Sequence, residues 1–282
     1  MKLALVYNPK LAPKRLNRVN KLAAVLESRG HLVSHYNGIE FDAARDAGDA
    51  DCVIMAGGDG TARLVIQKQS DPGALPDLAI YPTGTINLLA RELDYPRNPH
   101  KFAARLESGS QQLTTRLATI DGAPFLACAS IGFDAHAVAS VSEALKLRIG
   151  RFAYVAALLS LAKNWPRHPV TIDTGEERIE AETLFILRGK FYAGPWTLDR
   201  GANLKTEKLR ILALPHARRR DMLLLALYAM LGSRRPHGHW RFLEADRVTL
   251  SGGEGIPVQA DGDIVASAPV TFELTPTKVT FL

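Results

Sequence analysis

Two stretches combine bare backbone with polar side chains at spacings that suit phosphate chemistry. Residues 52–61 read CVIMAGGDGT, and residues 81–93 read YPTGTINLLAREL. In each, an apolar run breaks at a glycine-containing turn, and a helix-forming sequence follows. Glycine lets backbone N–H groups approach an anion without a Cβ in the way, and the start of a helix adds partial positive charge. Gly57, Gly58, Gly60 and Thr61 in the first turn are therefore candidate phosphate contacts. Thr83, Gly84, Thr85 and Asn87 are their counterparts in the second, and Asp59 is the one carboxylate within these turns. Neither GxxxxGK[ST] nor GxGxxG occurs in the chain, so these are not the two commonest phosphate loops. GGDGT by itself also suits an ordinary turn; a second turn of the same design one strand later favours a shared anion cradle.

The elements that must position these turns are legible from periodicity. Apolar runs at 3–8, 31–36, 52–56 and 78–82 alternate with helical patterns at 14–29, from Thr61 and from about Ile86. Continuous apolar strands alternating with helices predict a parallel, doubly wound α/β sheet, whose ligands lie beyond the carboxyl ends of the strands. After about residue 113 the pattern changes. Asp121-Gly122 predicts a tight hairpin, and a helix is expected over 135–164. Strands are expected at 169–174, 178–188, 208–214, 246–251, 256–260 and 269–281, with a helix at 217–231. The expectation is an α/β domain over 1–115 and an antiparallel β-rich domain over 116–282. Whether the last strands pack back on the first domain is left open.

Composition bounds the partners. The 282 residues carry a net charge of +6 and are 46% hydrophobic, enough for a real core. Cys52 and Cys128 sit in apolar runs, as reduced core thiols do. The N-terminal apolar run is too short for a signal peptide, and the apolar stretches at Phe152–Ala162 and Met222–Leu231 fall short of the ~20 residues a spanning helix needs. The basic excess flanks one apolar run, in ARRRD (217–221) and GSRRPHGHWR (232–241), and basic residues also mark 145–165. Each stretch reads either as an element resting on anionic lipid or as a core helix with a basic solvent face; a run apolar on all sides favours the core. HGH at 237–239 reads as a solvated loop, no zinc motif is visible, and nothing beyond charge suggests nucleic acid.

The paired motifs GGDGT and PTGTINLLAREL resemble the diacylglycerol kinase catalytic-domain family, which includes sphingosine, ceramide and bacterial lipid kinases and is distantly related to NAD kinases. Asn8-Pro9, SIGFDAHAV (130–138) and VQADGDIV (258–265) are similar to further family segments, so the resemblance covers nearly the whole chain. It implies a Rossmann-like nucleotide domain followed by a β-sandwich-like domain, with the active site in the cleft. It also implies ATP with Mg²⁺ as cofactors and phosphoryl transfer to a lipid hydroxyl.

Such transfer needs positioning, charge neutralisation and a base for the hydroxyl proton. By resemblance, Asn8 and the two turns hold the nucleotide, Asp59 stands near the phosphates and their magnesium, and Asp261 is the base. Asp59 is the rival for the base, as in NAD kinases. Asp263 stands where the family usually has Glu. Asp134 is either an acidic contact for a substrate headgroup or a helix cap. Taken alone, ADGDIV reads as a hairpin turn.

Two departures stand out. Leu64 replaces a common family Glu. The stretch RGANLKTEKLRILAL (200–214) places Lys205, Glu207, Lys208 and Arg210 where bacterial lipid kinases hold a structural magnesium with acids. A lysine cannot ligate a hard cation, so that second magnesium is expected to be absent, which puts diacylglycerol as the substrate in doubt. The expectation is an ATP-dependent lipid kinase acting on diacylglycerol, a sphingoid base or a ceramide-like lipid. It would be cytoplasmic, with room for peripheral contact at the inner membrane face and for a homodimer. The alternatives are a non-catalytic nucleotide- or lipid-binding module, and a kinase for a soluble hydroxyl compound.

Overall fold

The computed structural model describes residues 1–69, 71–140, 167–232 and 238–282. It divides into two units, Met1–Leu117 with Pro276–Leu282, and Ala118–Thr275.

In the first unit the parallel strands β1 (Lys2–Tyr7), β2 (Leu32–Asn37), β3 (Cys52–Gly57) and β4 (Asp77–Pro82) lie in the order β2-β1-β3-β4. Every residue of β3 is buried, the mark of a strand covered on both faces. The connecting helices are α1 (Pro13–Ser28), the short α2 (Ala43–Asp46), α3 (Asp59–Gln67), α4 (Leu88–Glu92) and α5 (Pro99–Ser108). α1 starts with Pro13, whose missing N–H costs nothing in a first turn, and buries Val19, Leu22 and Leu26 at helical spacing. α5 follows the same logic, with Asn98 capping the amide of Lys101 ahead of Pro99. Periodicity alone does not separate α5 from α4. In register, Tyr7 lies beside Ala56 and Gly57 beside Pro82, so Asn8, Gly58 and Thr83 all emerge at the carboxyl edge of the sheet.

The second unit is antiparallel. It contains the end of β5 (Leu113–Ile120), β6 (Ala123–Phe125), β7 (Cys128–Ile131) and α6 (Phe133–Ala139). These are followed by β8 (Val170–Asp173), β9 (Arg178–Ala181), β10 (Thr183–Leu187), β11 (Leu209–Leu214) and α7 (Arg219–Leu231). The last strands are β12 (Arg241–Ala245), β13 (Arg247–Ser251), β14 (Pro257–Ala260), β15 (Asp263–Ser267) and β16 (Val270–Phe281), whose residues from Pro276 on belong to the first unit. One sheet runs β12-β11-β10-β7-β14-β15, and in the other β16, β13, β8 and β9 are neighbours in that order. Ile131, Ile186, Ile211 and Val258 from the first meet Ile172, Val248, Leu250 and Phe272 from the second in one buried cluster. This is a β-sandwich core.

The expected strand over 178–188 is in fact two strands: β9 pairs with β8, whereas β10, two residues on, pairs with β7 and β11 in the other sheet. Both Asp-Gly dipeptides make two-residue hairpins with positive φ at each residue, Asp121-Gly122 joining β5 to β6 and Asp261-Gly262 joining β14 to β15. The helix expected over 135–164 begins at Phe133; past Ser140 it lies outside the described residues, as does the whole basic stretch 145–165. Cys52 and Cys128 are buried, free thiols.

Candidate active site

The two glycine turns of the first unit form one object. A Cβ added to Gly84 would stand 2.6 Å from the Cα of Gly58, and one added to Gly57 would stand 2.4 Å from the side chain of Thr61. These approaches require glycine. The amides of Thr83 and Gly84 both donate to the carbonyl of Gly57, at 3.1 and 3.2 Å. α3 therefore starts at the first turn with the second turn pressed against it.

Asp59 completes the join. Its carboxylate accepts the amides of Leu88 and Leu89, each at 2.8 Å, and so caps the start of α4 from the neighbouring helix. Asn87, which precedes α4, takes a left-handed conformation with φ 55°, and its Nδ2 donates to the carbonyl of Gly84. Burial pushes the Asp59 carboxyl up from its ordinary value, against the lowering effect of the Leu89 and Leu88 amides. Sequence reasoning gave this carboxylate to the phosphates and magnesium. Here it is a buried tie between the two turns, because its oxygens meet backbone amides some 30 residues on.

The buried Thr83 Oγ1 and Asn87 Oδ1 have no hydrogen-bond partner among the described residues. A buried hydroxyl and amide oxygen without partners, beside glycines that keep the surface bare, fit a polar ligand such as a nucleotide phosphate. Two cations from α1 reach the second turn. Arg15 donates to Thr85 Oγ1 at 3.1 Å, and Arg18 donates to the carbonyl of Pro82 at 2.6 Å while lying over the ring of Tyr81. Their spacing of three on one helix face was the available signal, and it was missed. Asn8 closes the edge: its Oδ1 accepts the amide of Lys10 and turns the chain out of β1. Beside the second turn lies an open hollow of about 340 Å³, with Pro82, Ile86, Arg91 and Arg97 in its wall.

The second unit holds the remaining candidates. The Asp261 carboxylate accepts the amides of Leu126 and Ala127 at 2.8 Å and of Cys128 at 3.3 Å, and the Asp261 amide donates to the carbonyl of Cys128. The side chain thus fastens the β14–β15 hairpin to the segment between β6 and β7. Asp263, the first residue of β15, is more open than Asp261.

Asp134 lies in the first turn of α6. It accepts from Ser130 Oγ at 2.5 Å and from Gln259 Nε2 at 3.3 Å. It does not cap the helix, whose preceding residue is Gly132. Burial raises its carboxyl, opposed by hydrogen bonds from Ser130, Tyr192 and Gln259. Gln259 also donates to Ser130 and accepts the amide of Gly262, so Asp134 and the Asp261-Gly262 turn belong to one network. Ser130, Tyr192 and Gln259 were not singled out from sequence; their partners lie up to 129 positions away.

The 200–210 segment is built around basic groups. Arg210 Nε binds Asp199 Oδ2 at 2.7 Å, and its guanidinium also meets Glu244. The buried Arg188 donates to the carbonyls of Leu204 and Thr206. Among the described residues, no group of three or more His, Cys, Asp or Glu side chains is arranged to hold a metal ion. Magnesium that keeps its waters and binds mainly through phosphates would arrive with the nucleotide. No described helix is long and apolar enough to cross a membrane.

These features define an α/β domain with paired glycine turns followed by a β-sandwich, and comparison with known proteins agrees. Residues 2–118 match the family model of the diacylglycerol kinase catalytic domain, and residues 127–282 match that of the YegS C-terminal NAD kinase beta sandwich-like domain. The chain belongs to the diacylglycerol kinase catalytic-domain family, in its two-domain form. A diacylglycerol kinase of Bacillus subtilis is 24% identical over 95% of this chain and 91% of its own length. A protein of Pseudomonas aeruginosa named "Probable lipid kinase YegS-like" is 34% identical over 36% of this chain and 33% of its own. The crystal structure of a diacylglycerol kinase from Bacillus anthracis shares the fold, with a TM-score of 0.69 at 20% identity over 99% of this chain and 96% of that one.

Proposed function

We propose that the chain is an ATP-dependent kinase that transfers the γ-phosphoryl group to a hydroxyl of a lipid. The observation that carries the reading is the fusion of the two glycine turns, in which Gly58 packs on Gly84 and the buried Thr83 Oγ1 and Asn87 Oδ1 have no hydrogen-bond partner among the described residues. The family match supports a kinase, and the names of its relatives support a lipid acceptor.

In this reading the chain's own groups bind and orient. The amides at the start of α3, together with Thr61, Thr83 and Thr85, meet the phosphates. Arg15 and Arg18 add positive charge at the second turn. Magnesium supplies further neutralisation when it arrives with ATP. Asp59 keeps the two turns in register and so acts by positioning. Asp261 is the proposed base: the acceptor oxygen forms its bond to the γ-phosphorus, the bond to the bridging oxygen breaks, and the hydroxyl proton leaves to the carboxylate. Asp134 serves the acceptor side through its network with Gln259.

Radiolabelled ATP offered with a panel of lipid extracts, separated by thin-layer chromatography, tests this. Label in a lipid product, lost on removing either ATP or the protein, is expected. Label that appears only in water-soluble products would make the chain a kinase for a soluble acceptor. No transfer, combined with an ATP-dependent rise in melting temperature, would leave a nucleotide-binding module.

A further inference from the structure

α7 turns the wrong residues outward for a protein that meets only water. Asp221, Leu225 and Ala229, spaced four apart, are its buried edge. The opposite face exposes Leu223 at 63%, Leu227 at 45%, Met230 at 57% and Leu231 at 78%, with Leu224 at its margin. Five large apolar side chains on three turns make one contiguous stripe. Single exposed leucines are unremarkable, but a stripe along one helix marks a contact surface. The apolar sequence of 217–231 favoured a core helix; the structure overturns that, because only one edge of the helix packs on the unit.

The charge around the stripe decides what covers it. Arg219 and Arg220 stand in the first turn on the same outward side, and Arg220's side chain is 70% exposed. Asp221 is buried, accepts both the amide and the Nε of Arg218, and lies 3.9 Å from the Nε of Arg220, whose side chain stays largely in solvent. From Met222 to Leu231 the helix carries no charge. The same face of a second copy would offer apolar side chains but no exposed carboxylate to Arg219 and Arg220. A bilayer containing anionic lipid meets both features, with acyl chains for the leucines and headgroup phosphates for the flanking arginines.

We infer that the outward face of α7 is a docking surface for an anionic lipid bilayer. The helix lies in the interface with the Leu223–Leu227–Met230–Leu231 stripe in the acyl boundary and Arg219 and Arg220 at the phosphates. The inference deepens the lipid-kinase reading by stating how the chain reaches a surface where its acceptor resides, but its test uses neither ATP nor acceptor.

The experiment is co-sedimentation of the full chain with phosphatidylcholine vesicles, with and without a minority of phosphatidylglycerol. Binding is expected only with phosphatidylglycerol, and it should weaken as salt is raised. Leu227→Glu and Met230→Glu, both at exposed positions, should each lower the partition about tenfold or more, with melting temperatures near wild type. Arg219→Ser with Arg220→Ser should lower it about tenfold or more and flatten the salt dependence. A chain that binds no vesicle, or binds equally well after Leu227→Glu, overturns the inference. So does concentration-dependent self-association abolished by the same substitution, which would give the face to a second copy. Because lipid-product formation is not read, a failed kinase assay leaves this result standing, and the reverse also holds.

Discussion

Gly58 and Gly84 pack so closely that a Cβ on Gly84 would stand 2.6 Å from the Gly58 Cα. The converse is milder, since a Cβ on Gly58 would meet the Gly84 Cα at 3.4 Å. Two turns that sequence treats as separate motifs are therefore one surface, and the pair is asymmetric in what it tolerates.

That asymmetry is measurable. Gly84→Ala must part the turns, so a loss of about 1–3 kcal/mol is expected, together with loss of any ATP-induced rise in melting temperature. Gly58 has φ −107° and ψ −172°, which alanine adopts, so Gly58→Ala should change stability by less than about 1 kcal/mol. Thermal melts with and without Mg²⁺·ATP report both. Equal effects of the two substitutions would mean that the turns are not in contact.

Asp261→Asn separates a base from a brace. Asparagine replaces one carboxylate oxygen by an NH₂ group, yet amides face both oxygens, Leu126 on one side and Ala127 with Cys128 on the other. A donor is set against a donor whichever way the amide turns, and a loss of about 1–3 kcal/mol is expected from that alone. If Asp261 is also the base, kcat falls by about 10²-fold or more at temperatures where the variant is fully folded. Circular dichroism melts alongside single-turnover kinetics keep the two effects apart. A stability loss with unchanged turnover would restrict Asp261 to bracing.

Glu107 on α5 gives a pH signature. It accepts from Arg29 and from His31 at 3.0 Å, and the Arg29 guanidinium pulls its carboxyl down to about 2 from an ordinary 4.5. A folded-state value below the unfolded one means that the stabilisation is present above about 4.5 and drains away as pH falls toward 2. The Glu107 side chain is about one-third exposed, so solvent screening keeps the contribution of the pair small. Glu107→Gln should lower the melting temperature by about 2–3 °C at neutral pH, with the difference from wild type vanishing in strong acid and shrinking in high salt. An offset constant across pH would assign the loss to packing.

The sequence alone determined whatever is set by the backbone preferences of neighbouring residues. Apolar strands alternating with helical periods gave the parallel half, and the change of pattern after residue 113 gave the antiparallel half. Asp121-Gly122 and Asp261-Gly262 announced their hairpins because both residues of each dipeptide accept positive φ. Gly57, Gly58 and Gly84 announced a surface without side chains. Tertiary structure alone decided which polar group meets which. Asp59 finds its amides 29 and 30 positions on, and Asp261 finds its amides 133 to 135 positions back. Such pairings follow from the order and register of strands, which no local pattern encodes, and they give both carboxylates backbone partners that the sequence did not announce. The same holds for the 178–188 run, which changes sheets within two residues, and for α7. An apolar helix states that it must be covered; whether its own protein covers it depends on how much of its circumference the sandwich reaches, and here the sandwich reaches one edge.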